Sequence, residues 1–247
     1  MAKASRQKKK MTPEMAWARF YKKDFDAALE MFQTFIEENP NDNAALYGRA
    51  CALFRISDHE GSLADLNALL KADPGNTEVL HTRALLYGAD ELYDRTLKDL
   101  KRVAELDPGN GEAWCDMGGT YLLLEDYTNA GVCFERASDI DKTCACAWFG
   151  KAAVAMQQKQ NKKAVEYLNI VLRLDGRHTL AKMARAELAF SEGKKSEAVK
   201  DIKKLLSEDK DFSERFVNFF SEGDHDQNVN DDDEGGTISD DDVAGTF

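Results

Sequence analysis

The chain has 247 residues and a formal net charge of −12, and its 43% apolar and 32% charged fractions fit a helical protein with a wet outer surface. It contains no apolar run near the roughly 18 residues a membrane-spanning helix needs, no apolar stretch behind its basic start that would read as a secretory signal, and no strongly basic body of the kind that marks a nucleic-acid partner. Its five cysteines are an odd number spread through helical patterns, which excludes a small-protein disulfide framework and points to a reducing, cytoplasmic compartment, or a nuclear one in a eukaryote.

Residues 1–10 carry +5 and are expected to be a basic, disordered N-terminus. Thr12-Pro13-Glu14 is a helix start: a capping hydroxyl, Pro at the first helical position, and an acid in the first turn. The first helix is expected from Pro13 to about Lys23. The second is expected from about Phe25 to Glu38, stopping before Pro40, whose ring would clash with the preceding turn.

The turn Asp73-Pro74-Gly75-Asn76 returns 34 residues later as Asp107-Pro108-Gly109-Asn110, and the same interval reaches Pro40 going back and Asp141, Asp175 and Asp209 going forward. A fixed period of this length signals stacked structural repeats. Units beginning at Asn43, Thr77, Gly111, Ala145 and Thr179, with a truncated copy before them, align without insertion. The eighth place reads Ala16, Ala50, Ala84, Gly118, Ala152, Ala186, and the twentieth Ala28, Ser62, Thr96, Ala130, Ala164, Ala198. Small side chains at these places let two antiparallel helices approach closely. The twenty-fourth place reads Phe32, Leu66, Leu100, Phe134, Leu168, Ile202, an apolar stripe that one pair cannot bury alone.

Small residues at places 8 and 20, a large apolar at 24 and Pro at 32, with Trp114 and Trp148 at place four and Tyr121 and Tyr127 at places 11 and 17, resemble the tetratricopeptide repeat. The resemblance covers residues 11–212 in six consecutive copies. It implies an all-α, right-handed superhelical solenoid of antiparallel helix pairs. The last three copies lack the proline, and their turns are expected to be softer.

Place seven, usually apolar in this family, is Arg49, Arg83 and Arg185 in three copies, and in the same copies place 23 is Asp65, Asp99 and Asp201. Half-buried charges are seldom left unpaired, so each arginine is expected to face its aspartate across the helix pair rather than to form a binding ladder. Lys151 and Tyr167 occupy the same two places in another copy.

The resemblance also implies a concave groove lined by the first helix of each pair. Place five puts Tyr47, His81, Cys115, Phe149 and Met183 there, and place nine adds Cys51 and Leu85. Small residues at place six, Gly48 and Gly150 among them, are expected to leave room at the floor. Such a surface would take an apolar or helical partner segment; the other reading is that these side chains pack against adjacent helices. Family members that hold acidic chaperone C-termini use a clamp of Lys, Asn and Arg. The corresponding places here hold Tyr47, Gly48, Cys51, Glu78 and Thr82, so a co-chaperone role by that mechanism is disfavoured.

Phe212, Phe216, Phe219 and Phe220 share one helix face, and residues 213–222 are expected to cap the array or to dock in a groove. Residues 223–247 lack large apolar side chains and are expected to be an acidic disordered tail. The tail is either solubilising or an escort for a basic protein such as a histone, and Ser239 before Asp240-Asp241-Asp242 resembles a kinase substrate. No glycine-rich phosphate loop, nucleophile–base pair or metal spacing emerges, so neither catalysis, cofactor nor metal is expected. The sequence reads as a non-catalytic scaffold or adaptor for a protein or peptide partner.

Overall fold

The computed structural model describes residues 12–208. Among these it contains α1 (Pro13–Tyr21), α2 (Phe25–Glu38), α3 (Asn43–Arg55), α4 (His59–Ala72), α5 (Thr77–Ala89), α6 (Tyr93–Leu106), α7 (Gly111–Leu123), α8 (Tyr127–Ile140), α9 (Ala145–Gln157), α10 (Asn161–Leu174), α11 (Thr179–Ser191) and α12 (Lys195–Glu208). The described residues hold no strand. From α3 onward every first helix begins at the residue the 34-residue register marks as place one. The basic segment 1–10, the turn at Lys210, the Phe212–Phe220 segment, the tail 223–247 and Ser239 lie outside the described residues.

The chain divides into two units, Met1–Asp126 and Tyr127–Phe247. In the first, α1 to α7 pack consecutively, and α3 also touches α1 and α5. In the second, α8 to α12 pack consecutively. Each is therefore a stack of helices in chain order, and the boundary falls inside the fourth repeat.

Two local devices set this geometry. The first closes every first helix. α1 stops at Tyr21 rather than Lys23, because Lys23 takes a left-handed conformation (φ 63°) and Asp24 N–H turns back to the Arg19 carbonyl. Ser57, Glu91, Glu125, Lys159 and Gly193 repeat the motif at place 15, and only the last is a glycine. The hydrogen bonds recovered at the helix end hold the other five in a region that L-residues seldom occupy. The second device is the turn back to the next first helix. Asp73, Asp107, Asp141 and Asp175 each accept from the backbone N–H two residues on, at 2.8–3.1 Å. The turns at Asp141 and Asp175 lack proline but are not softened, because the aspartate side chain carries the turn.

Within a pair, places 8 and 20 are buried as expected, and Ser62 Oγ donates to the Ala50 carbonyl at 2.8 Å across one of them. Between pairs, place 24 makes the seam. Phe32, Leu66, Leu100, Phe134 and Leu168 are buried. A Cβ at Gly48 would run into the Phe32 ring, and one at Gly150 into the Phe134 ring. The small residue at place six is therefore not open floor. At Gly48 and Gly150 it is the seat of the preceding pair's aromatic ring; where place 24 is Leu66, Leu100 or Leu168, the register puts Thr82, Asp116 or Ala184 at place six.

The three arginine–aspartate pairs form as expected. Arg49 bonds Asp65 through Nε and Nη2 at 2.7 Å each, Arg83 bonds Asp99 at 2.7 and 2.9 Å, and Arg185 bonds Asp201 at 2.7 Å twice. Two-point pairing fixes geometry as well as charge. The aspartates lie deeper than the arginines, at 8%, 6% and 12% side-chain exposure. The hydrogen bonds to Asp65 and Asp99 raise the affinity of Arg49 and Arg83 for their protons. Arg83 and Arg185 also donate to Asn67 and Asn169 of the preceding pair, at 2.7 and 2.6 Å, so each ties two repeats together. Lys151 meets Tyr167 as a cation over the ring, 5.2 Å from its centroid, with Trp148 on another side at 4.6 Å.

Asp99→Ala should lower the free energy of unfolding by about 2–3 kcal/mol, the cost of leaving a largely buried guanidinium without its carboxylate. Replacing both partners with apolar residues should recover most of it in urea denaturation, and a single-mutant effect under about 0.5 kcal/mol would contradict the assignment. For the seam, Gly150→Ala should destabilise by about 1–2 kcal/mol, although alanine is the better helix former. Added to Phe134→Leu it should cost markedly less, and strict additivity of the two changes would count against the ring-in-seat account.

Candidate functional site

The first-helix face of the first unit is cross-linked from repeat to repeat. Thr82 spends its hydroxyl hydrogen on the Glu78 carbonyl at 3.0 Å, so the Tyr47 hydroxyl donates to Thr82 Oγ1, at 2.8 Å. One repeat on, His81 Nε2 donates to Asp116 Oδ2 at 2.6 Å. Both links join place five to place six of the next copy. Trp17 of α1 lies 6.2 Å from the Tyr47 ring, and this extends the row to the start of the array.

These contacts tune the groups. Burial pushes the Tyr47 phenol well above its usual range, helped by Cys51 and Glu78 and opposed by the bond to Thr82. Burial also pushes the Cys51 thiol up to about 11, against the hydrogen bond with Tyr47. A thiol that stays protonated at neutral pH is a poor nucleophile and a poor metal ligand. The bond to Asp116 raises His81 above the usual histidine range, with burial opposing and the Asp116 and Glu112 charges adding to it.

The expected groove residues separate into three groups. Leu85 and Met183 are 42% exposed and available. Tyr47, Cys51, His81 and Phe149 are half-buried. Phe149 packs beside the core cluster of the second unit, its ring 5.0 Å from that of His178. Cys115 departs from expectation: at 5% exposure it belongs to the core of α7 and offers a partner no usable surface. Gly119 faces open space, since a Cβ there would meet nothing within 4 Å.

Three side chains of these faces went unread, Trp17 half-buried and the other two exposed. Trp17 and Tyr21 occupy places nine and thirteen of the truncated first copy, with Tyr21 77% exposed, and Leu180 occupies place two at 58%. The register signals all three once the first copy is included. Cys144 stands at the start of α9, Cys146 is exposed in its first turn, and His178 Nδ1 accepts from Ala181 N–H as the cap of α11. Among the described residues, no group of three or more His, Cys, Asp or Glu is placed to hold a metal, and no helix is long and apolar enough to cross a membrane.

This architecture is that of helix-pair repeat proteins. Family models described as tetratricopeptide repeat match residues 14–77 and 144–211, and a further one matches 111–144, so the chain belongs to the tetratricopeptide repeat family. Among solved structures, it is similar to pilF of Pseudomonas aeruginosa, with a TM-score of 0.70, 14% identity and coverage of 83% of this chain and 95% of that one. It is also similar to a tetratricopeptide repeat protein from Parabacteroides merdae (TM-score 0.68, 22% identity, 79% of this chain and 77% of that one). A third is YrrB, a TPR protein with an unusual peptide-binding site (TM-score 0.57, 19% identity, 72% and 92%). At these identities the likeness is one of fold. No curated protein matches the chain in sequence.

Because the folded-state pKa of His81 is raised, its link to Asp116 stabilises fully below the unfolded value near 6.5 and is lost as pH climbs through the folded value. The melting temperature of the wild type should therefore fall more steeply from pH 6 upward than that of His81→Gln. Parallel profiles for the two proteins would show that the link contributes nothing.

Proposed function

We propose that this protein is a non-catalytic scaffold or adaptor whose first-helix faces bind an apolar or helical segment of a partner protein. The observation that carries this reading is the surplus of apolar side chains the packing does not consume. Leu85 on α5, and Leu180 and Met183 on α11, stay 42–58% exposed while the places that build the core are closed to water. Membership of a repeat family whose proteins bind protein or peptide partners supports it. So does the hydrogen-bonded row Tyr47–Thr82 and His81–Asp116, which holds the first unit's face rigid before any partner arrives. The peptide-binding site named for YrrB is a property of that protein; it makes peptide capture the natural first assay here.

The protein works where thiols stay reduced, in the cytoplasm. The alternative of escorting a basic protein rests on residues 223–247, outside the described part, and a chain ending at Glu222 separates it from face binding.

Leu85→Glu and Met183→Glu suit the test better than alanine changes at Tyr47 or Phe149, which would disturb a cross-link and a core contact. Affinity capture with mass spectrometry should show a partner held by the wild type and by the chain ending at Glu222. The double glutamate variant, at unchanged helicity, should retain at least about tenfold less, the scale of losing two buried apolar anchors. Undiminished retention by that variant would overturn the proposal.

A further inference from the structure

The charge of the array is divided between its units. Described residues 12–126 hold eleven Lys and Arg against twenty-two Asp and Glu, whereas 127–208 hold fifteen against ten. The excess in the second unit is concentrated at α10 and α12. Lys162, Lys163, Lys194, Lys195 and Lys200 are all exposed. Lys194 and Lys200 border one cavity of about 250 Å³ with Asn169, Glu192 and Glu197. Glu192 pairs with Lys194 at 2.8 Å, which holds its carboxyl below the usual range, and it also feels Asn161 and Lys162. The start of α10 therefore lies beside the turn into α12, and their lysines form one surface. Glu166, Glu192 and Glu197 offset only part of its charge.

Local folding does not explain this surface. The second helices α2, α4, α6 and α12 carry Asp26, Glu60, Asp94 and Glu197 in their first turns, as the helix dipole favours; α8 carries no charge there, and α10 carries Lys162 and Lys163. A rule kept in four second helices and reversed only at α10 marks a position serving something other than the helix.

We propose that this lysine surface of the second unit is the docking site of the chain's own acidic segment, residues 223–247. That segment has nine carboxylates and no Lys or Arg, so its charge is complementary to the surface. Its first acidic block, Asp231–Glu234, follows the end of α12 at Glu208 by 23 residues. By random-coil scaling 23 residues span roughly 25–30 Å in root-mean-square terms, against a length of about 21 Å for α12 itself. Tethering at this range supplies an effective concentration near the millimolar scale, which suffices for weak multivalent pairing.

The chemistry of the surface favours carboxylates over nucleic acid. Its cations are lysines, hydrated point charges without a fixed fork, while neighbouring Arg185 is committed to Asp201 and Asn169. No aromatic side chain borders the cavity to stack a base. The proposal stands apart from the first-helix face, and either reading can fail alone.

The test is lysine acylation footprinting by mass spectrometry on three full-array proteins. These are the wild type, a chain ending at Glu222, and a full-length chain with Asp231–Glu234 and Asp240–Asp242 changed to their amides. At about 10 mM salt, where screening is weak, acylation of Lys162, Lys163, Lys195 and Lys200 should be at least about threefold faster in both altered chains than in the wild type. Lys71 and Lys98 of the first unit should not change. At about 0.5 M salt the three proteins should converge. Equal rates in all three at low salt would overturn the proposal. So would protection that persists at high salt, or protection that grows with protein concentration, which would place the contact between copies.

Discussion

A pair of short antiparallel helices cannot bury its own apolar stripe, and this constraint shapes the whole array. Each pair passes its place-24 side chain to the next, where it needs a seat. Phe32 and Phe134 take glycine seats at Gly48 and Gly150, and Leu66, Leu100 and Leu168 are buried at the same place. The helix ends follow from the same need. For the next helix to arrive in register, every first helix must stop at one place, and the left-handed residue at place 15 enforces that even where it is Lys, Ser or Glu.

The charged groups inside the array obey the same geometry. Arg49, Arg83 and Arg185 stand where an apolar residue would serve, and each is made tolerable by a deeper aspartate that it grips at two points. Extending Arg83 and Arg185 to asparagines of the preceding pair turns a buried charge into a tie between repeats. Because these polar contacts and the small-residue seams satisfy the interior, what remains exposed on the first helices is not needed for folding. That surplus supports the scaffold reading.

Polar cross-links give the first unit's face a second property. Tyr47 and His81 look from sequence like anchors for a ligand, yet the Tyr47 hydroxyl and His81 Nε2 are already bonded to the next repeat. They tie the face together from repeat to repeat, and the large apolar side chains left exposed on the first unit's first helices include Tyr21 and Leu85. In the second unit, Leu180 and Met183 are likewise exposed.

Periodicity alone determined the repeat length, the helix starts, the buried places and the Arg–Asp pairs, because a fixed spacing on regular helices leaves one arrangement in which small faces small and charge faces charge. Asp at place 31 was legible too, although its power to hold a turn without proline was not. The tertiary structure alone decided which side chains of the first helices remain available. Cys115 and Met183 occupy the same place in the register, yet one is buried and the other is exposed, because exposure depends on what neighbouring helices cover. Gly48 and Gly150 looked like empty floor for the same reason: a missing side chain reads identically whether it leaves a cleft or receives a ring. Only the path of Phe32 and Phe134 tells the two apart.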